Sequence, residues 1–142
     1  MARRLTFPPK PTVLRQLRAE VRKLATHFGA EERIGDNLAL VVDELVNNAI
    51  EHGAEYRSTG VDLAIQIDRN GEHLRIEFFD PEMPDPTVHE LAVLLAQSAN
   101  GMPSLDSERG RGLFLLSVYL QDLAADRAPN GGLRLVGNIP RK

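Results

Sequence analysis

The chain has 142 residues, a length that suits one folded domain, which we predict to span 1–142. With 42% hydrophobic residues, 26% charged residues and a net charge of −3, it has a globular composition and no basis for a nucleic-acid-binding surface. Because cysteine is absent, disulfides and thiolate metal sites are excluded. No segment has the roughly 20 apolar residues of a membrane-spanning helix or the apolar run of a signal peptide. We therefore expect a cytoplasmic protein that binds no membrane.

The first third of the chain predicts one strand followed by two helices. Residues 3–7 favour a short edge strand that ends at two prolines. Apolar residues then recur every three or four positions, which indicates a helix with Thr12 as N-cap and Gly29 as its stop. A second helix is predicted for about 34–52, with Asp36 as a candidate cap.

Beyond residue 60 the pattern changes to alternation and then back to helix. Residues 61–67 and 74–78 alternate between apolar and polar, with Asn70-Gly71 as the predicted hairpin turn.

Residues 80–86 contain three prolines and predict no regular structure. Helices are predicted for 89–99 and 110–124, with a loop at 100–109, and a last strand for 133–139. Helices and antiparallel-capable strands fall in separate runs, so the predicted class is α+β, a sheet covered on one face by helices.

Three polar residues are stacked on one side of the second predicted helix. Glu44, Asn48 and His52 follow each other at intervals of four, so they form a stripe that runs into the buried edge of the helix. A carboxylate and an amide at the margin of a core cost desolvation energy unless they are paired or used. The alternative is that Asn48 and His52 are hydrogen-bonded structural residues and that Glu44 is exposed.

Two further segments combine polar groups with a strand or helix end. Asp80 directly follows an apolar strand, where its carboxylate could accept a hydrogen bond from a ligand amine or simply open a proline-rich turn. Gly110 and Gly112 begin a predicted helix, where backbone N–H groups and the helix dipole favour an anion such as phosphate. A flexible hinge explains the two glycines equally well.

Together, and in this order, these segments resemble the GHKL ATPases, which include histidine kinases, gyrase B and the anti-sigma-factor serine/threonine kinases. Residues 44–53 (ELVNNAIEHG) are similar to the N-box of that family, Asp80 to the Asp of its first glycine box, and 110–116 (GRGLFLL) to its second glycine box. The resemblance covers nearly the whole chain. It implies the Bergerat-type ATP-binding fold, a two-layer sandwich of helices over a mixed, mostly antiparallel sheet.

The resemblance implies a role for each of these residues. Asn48 would coordinate Mg²⁺ through its side-chain oxygen, and Asp80 would bind the adenine amino group of ATP. Glu44 would be the catalytic general base that takes the proton of the attacking hydroxyl. Gly110, Gly112 and the adjoining Leu113 would form the phosphate cradle.

The same resemblance implies that an arginine, Arg109 or Arg111, lies near the terminal phosphate. It further implies an anti-sigma regulatory factor that uses Mg-ATP to phosphorylate a Ser or Thr of a STAS-domain anti-anti-sigma protein. The expected partners are that protein, a sigma factor or other regulatory target, and a second copy in a homodimer. The first helix and first strand would supply the dimer and partner surface.

Two departures from the family pattern support an alternative function. Glu82 stands where the family usually has a glycine that lets the backbone approach adenine. Leu133 stands where the family usually has a threonine hydroxyl beside adenine. The alternative is therefore a non-catalytic partner-switch binding module whose ATP binding is weakened or lost.

Overall fold

The computed structural model describes residues 2–58, 60–99 and 108–142, apart from the side chains of 98–99 and 108–111. The strands are β1 (Arg3–Phe7), β2 (Leu63–Asn70), β3 (His73–Asp80), β4 (Gln121–Arg127) and β5 (Leu133–Pro140). The helices are α1 (Leu14–His27), α2 (Glu32–Gly53), α3 (Asp85–Ala99) and α4 (Glu108–Tyr119). None of the described helices combines the length and the apolar character needed to cross a lipid bilayer.

The strands form one sheet with the order β1-β2-β3-β5-β4. All four neighbouring pairs of described strands are antiparallel, so the predicted α+β class is confirmed and no parallel pair is present among them. Buried residues of the four helices and of one sheet face form a single hydrophobic core. The opposite face carries ion pairs such as Arg134–Glu77, at 2.8 Å. The helices therefore cover one face, as predicted.

Strand β3 carries a charged residue into the core layer. Its buried positions alternate and are occupied by Leu74, Ile76, Phe78 and finally Asp80. Because side chains on a strand alternate between faces, Asp80 points to the same side as the three apolar residues. A carboxylate in this position requires hydrogen-bond partners inside the protein.

The first two helices match the prediction closely, with small shifts at their starts. Helix α1 begins at Leu14 after a short 3₁₀ turn that contains Thr12, and Gly29 follows its end with φ +84°, as expected for a glycine stop. Helix α2 begins at Glu32, and no side chain caps it. The predicted cap Asp36 lies within the helix instead, where it pairs with Arg22 at 3.0 Å.

The predicted hairpin is confirmed, with its turn one residue later than expected. Asn70 pairs with His73, so Gly71 and Glu72 form the turn in place of Asn70-Gly71. Helix α3 begins at Asp85, four residues before the predicted start at 89. Pro86 does not prevent this, because the first turn of a helix needs no proline N–H donor.

The prediction of a helix over 110–124 is wrong in its last third. Helix α4 ends at Tyr119, and Gln121–Arg127 form strand β4, which adds a strand to the predicted order. A register irregularity between Gln121 and Ala124, with Asp122 at φ 54°, marks the change of direction. The predicted last strand is confirmed as β5. The predicted loop at 100–109 lies outside the described residues up to 107, and Glu108 already belongs to α4.

Candidate functional site

The polar stripe of α2 lies at the margin of the core, as predicted. Glu44, Asn48 and His52 are each half-buried. Nδ2 of Asn48 donates a hydrogen bond of 3.0 Å to Oε1 of Glu44. One turn further on, Nε2 of His52 is buried and has no hydrogen-bond partner within the described part of the chain. The alternative of a plainly exposed Glu44 is thereby excluded.

Helix α4 packs against α2 at this stripe, and Gly112 lies at the contact. A Cβ atom added to Gly112 would overlap Oε1 of Glu44 and lie 3.1 Å from Nδ2 of Asn48. Only a residue without a side chain allows the α4 backbone to come so close to both polar groups. The carboxylate and amide of α2 therefore face the second glycine of the GRG segment.

A small cavity continues from this contact toward the sheet. Its volume is about 30 Å³, which is enough for a water molecule or two and much less than a purine base requires. The lining is mainly apolar, with Asn48 and His52 as its polar members; the other lining residues are Leu45, Ala49, Phe78, Met83, Leu91, Leu113, Leu116, Leu133 and Leu135. A nucleotide base could enter only if these side chains moved apart.

The carboxylate of Asp80 is completely enclosed by protein donors. Its exposure is 0%, and it accepts hydrogen bonds from the Tyr56 hydroxyl at 2.8 Å and from the backbone N–H of Glu82 at 3.2 Å. Arg57 binds both carboxylate oxygens, at 3.1 and 2.8 Å. We refer to Tyr56, Arg57, Asp80 and Glu82 as the Asp80 cluster. In this structure the carboxylate is shielded from solvent and from ligands.

Arg57 reaches Asp80 by crossing the C-terminal end of α2. Its Nη2 also donates to the carbonyl oxygen of Ala49 at 3.0 Å, and a Cβ at Gly53 would overlap this guanidinium. Burial alone lowers the pKa of Arg57, but the hydrogen bond to Asp80 and the surrounding negative charges outweigh it, so the pKa lies above its ordinary value. The guanidinium is therefore charged at any pH near neutrality.

The two departures from the family pattern lie on either side of Asp80. Glu82 places its carboxylate 3.6 Å from Nη1 of Arg57 and accepts a hydrogen bond of 3.0 Å from the Ser58 backbone. Leu133 pairs with Asp80 in the sheet and lines the cavity. Gly132, at φ +83°, packs so closely on the Asp80 carbonyl oxygen that a side chain there would overlap it.

The structure thus brings together some of the predicted site residues and separates others. Glu44, Asn48, Gly112 and Leu113 are neighbours, whereas Asp80 is closed off within its own cluster. Of the remaining predicted residues, the backbone of 109–111 lies in the first turn of α4, and the side chains of both arginines are outside the described part.

Sequence reasoning missed Tyr56 and Arg57. The available signal was the alternation along β3, because extending it to Asp80 predicts a carboxylate in the core layer. A buried carboxylate requires a cation or several donors nearby. Alternation does not say where that cation comes from, and Arg57 precedes Asp80 by 23 positions in the chain.

The comparisons with known proteins concern the family and the fold of the chain. The family model of the histidine kinase-like ATPase domain matches residues 7–136, so the chain belongs to that family. Among solved structures, a chain of the SiaB–SiaC complex from Pseudomonas aeruginosa is similar, with a TM-score of 0.71 and 17% identity over 95% of this chain and 88% of that one. At this identity the likeness concerns the fold. No curated protein matches the sequence.

Proposed function

We propose that this chain is an anti-sigma-type serine/threonine protein kinase that transfers phosphate from ATP to a STAS-domain anti-anti-sigma protein. The observation that carries the proposal is the meeting of Glu44, Asn48 and Gly112 at the contact between α2 and α4. Membership of the histidine kinase-like ATPase family supports the choice of ATP. A carboxylate can take the proton of an attacking hydroxyl, an amide oxygen can bind Mg²⁺, and a glycine lets the backbone come close to a phosphate.

In the proposed reaction a serine or threonine hydroxyl of the partner attacks the terminal phosphorus of ATP. Glu44 accepts the hydroxyl proton, a new P–O bond forms, and the bond to the β-phosphate breaks to release ADP. Asn48 keeps the Glu44 carboxylate oriented through its 3.0 Å hydrogen bond. The backbone of α4 at Gly112 lies directly against both groups. Arg109, Gly110, Arg111 and Leu113 complete the proposed phosphate site.

The donor set fits a magnesium ion that arrives with the nucleotide. No cluster of three or more His, Asp or Glu side chains suited to a metal occurs in the described residues. Nδ2 of Asn48 donates its hydrogen bond to Glu44, which leaves Oδ1 as the oxygen of this amide that a hard cation could bind. When bound, Mg²⁺ would supply charge neutralisation of the phosphates, with Asn48 as its protein ligand.

The proposed protein partners would dock on α1 and β1. Strand β1 is at the edge of the sheet, so one side of its backbone is available for pairing. A groove of about 320 Å³ runs between β1 and α1, lined by Leu5, Phe7 and Leu17 among others. A homodimer, the STAS protein and a sigma factor or other target are the proposed partners, and a cytoplasmic location stays a prediction.

A non-catalytic partner-switch module is the second candidate, and the Asp80 cluster favours it. In that function the chain binds a STAS-type or other protein without transferring phosphate. The enclosed carboxylate and the 30 Å³ cavity are what a protein that no longer binds ATP would have. The same observations are expected of a kinase whose nucleotide site is closed before ATP binds.

Phosphate transfer distinguishes the two candidates. The protein is incubated with labelled ATP, Mg²⁺ and a STAS-domain protein from the same genome, and the partner is examined for phosphoserine and phosphothreonine. The kinase proposal expects label on one hydroxyl residue of the partner. Absence of transfer, together with absence of a nucleotide-induced thermal shift, would reject the kinase in favour of the binding module.

Asn48→Ala is expected to weaken Mg-ATP binding by about tenfold or more, equivalent to about 1.4 kcal/mol, while the fold is retained. The variant removes the proposed magnesium ligand from a half-buried position. Calorimetric titration with ATP in the presence and absence of Mg²⁺ measures the effect. Asn47→Ala, at the exposed neighbouring position, is the control. Equal Mg-ATP affinity in wild type and Asn48→Ala would show that the metal role is misassigned.

Gly112→Ala is expected to abolish transfer without unfolding the protein. The added methyl group displaces the flexible end of Glu44, whereas alanine favours the helix by up to about 1 kcal/mol. The control is Gly35→Ala in α2, where the nearest atom is 3.6 Å away and a methyl group fits. Transfer rate and thermal midpoint are measured for both. Full activity of Gly112→Ala would mean that this close contact is not needed for transfer.

A further inference from the structure

The acceptor capacity of Asp80 is already used within the protein. An ionised carboxylate offers about four lone-pair directions. Four donors occupy them here: the Tyr56 hydroxyl, the two terminal nitrogens of Arg57 and the Glu82 backbone N–H. A ligand amine could bind this carboxylate only in place of one of these donors.

We propose that Arg57 is a built-in competitor of the nucleotide base, so that ATP binds through Asp80 only after the guanidinium leaves. This inference rests on the proposed function, in which Asp80 accepts the adenine amino group. A guanidinium is a planar set of N–H donors, and it presents to the carboxylate the same kind of group that an aminopurine does. The charged donor binds more strongly than a neutral amine, which favours the closed arrangement.

Several neighbours hold Arg57 in the closed arrangement. Glu82 contributes a second carboxylate at 3.6 Å, and the Ala49 carbonyl oxygen accepts a further hydrogen bond. The guanidinium carbon also lies 5.3 Å from the centre of the Tyr56 ring. Gly53 leaves the space in which the guanidinium lies, because any side chain there would overlap it. Glu82 therefore contributes to holding Arg57 in place, in addition to the bulk it adds where the family has glycine.

The competition is confined to the base end of the proposed site. Arg57 donates its hydrogen bonds to Asp80 and to the Ala49 carbonyl oxygen, whereas Glu44, Asn48 and Gly112 meet at the α2–α4 contact. We refer to this competition by Arg57 as the gate. The gate should therefore reduce the affinity of the protein for ATP but not for the triphosphate part alone. The apparent affinity is the intrinsic affinity multiplied by the fraction of protein molecules that can bind the ligand. A site that is open about a tenth of the time therefore binds about tenfold more weakly.

The test compares Mg-ATP with magnesium tripolyphosphate in wild type and Arg57→Gln. Glutamine can still donate to Asp80 but carries no charge, so we expect the Kd for ATP to fall at least about tenfold, with the Kd for tripolyphosphate unchanged. Arg22→Gln is the matched control, since Arg22 pairs with Asp36 on the exposed surface. Arg57→Lys, which keeps a cation beside Asp80 and so protects the fold, is expected to give a smaller fall in the same direction.

The outcomes separate this inference from the proposed function. If wild type and both Arg57 variants bind ATP equally, or none of them binds it, the competition does not exist. If ATP and tripolyphosphate change by the same factor, Arg57 acts on the whole fold and the inference is overturned. If Arg57→Gln binds ATP tightly but neither the wild type nor the variants transfer phosphate, the gate is supported and the kinase proposal is rejected. If wild type transfers phosphate and affinities are equal, the kinase stands and the gate is rejected.

Discussion

Glu44→Gln is expected to lower the rate of phosphate transfer by about 10²–10⁴-fold, the usual contribution of a general base. Glutamine has nearly the same shape, and its Oε1 can still accept the hydrogen bond from Asn48 that is 3.0 Å long in the wild type. What it cannot do is accept the proton of the attacking hydroxyl. ATP affinity should therefore be unchanged, and single-turnover transfer to the STAS partner measures the loss of chemistry separately from binding.

The control for this prediction is Glu51→Gln on the same helix. Glu51 is exposed to solvent, so removing its charge tests for a general effect of the charge of α2. We expect this variant to transfer phosphate at the wild-type rate. Wild-type transfer by Glu44→Gln would mean that the proton goes to another group and that Glu44 has a structural role.

Asp80→Ala is expected to lower the free energy of unfolding by about 3–5 kcal/mol, the range for breaking a buried ion pair by removing one partner. The Asp80 side chain has no solvent exposure and that of Arg57 only 11%, so solvent does not replace the lost interaction. The variant leaves a guanidinium without its main counter-charge and the Tyr56 hydroxyl without its acceptor. Denaturant unfolding followed by circular dichroism measures the change.

Asp36→Ala provides the comparison for burial. Asp36 pairs with Arg22 at 3.0 Å, close to the 2.8 Å of the Asp80–Arg57 pair, but both side chains are about half exposed. An exposed ion pair contributes at most about 1 kcal/mol, so this variant should be nearly as stable as the wild type. If Asp36→Ala and Asp80→Ala lost similar amounts of unfolding free energy, burial would not make the Asp80–Arg57 pair stronger than the Asp36–Arg22 pair.

The sequence predicted the elements whose side chains carry a clear period. Apolar spacing in α1 and α2 and alternation in β2 and β3 reflect burial on one face, and these elements lie where they were expected. Helix α3 was predicted too short because the prolines were read as breakers. Only Pro86 lies within the helix, in its first turn, where a proline costs little.

Strand β4 could not be predicted because its stability does not come from its own pattern of burial. Its residues are exposed or half-buried throughout, and only Leu123 and Ala125 contact the core from the strand. Backbone pairing with β5 makes it a strand, and a pairing partner is a property of the tertiary fold. The apolar residues of α4, which continue to Leu120, favoured extending the helix instead.

The candidate site was predictable in part. The four-residue spacing placed Glu44 and Asn48 on one stripe, but their contact with Gly112 joins segments that local periodicity does not connect. The family resemblance supplied that connection. The Arg57–Asp80 pair was not predicted by either route, because a cation 23 residues away becomes a partner only when the end of α2 meets the end of β3.

The central claim is that the α2–α4 contact is a nucleotide phosphate site, and amide spectra of the ¹⁵N-labelled protein titrated with Mg-ATP test it most directly. Weak binding is expected if Arg57 competes with the base, and this method detects weak binding. We predict that the signals of the Gly112 backbone amide and the Asn48 side-chain amide shift progressively as Mg-ATP is added. In the Asn48→Ala variant, the Gly112 signal should no longer shift. Unchanged signals at both positions at the highest nucleotide concentration would contradict the account.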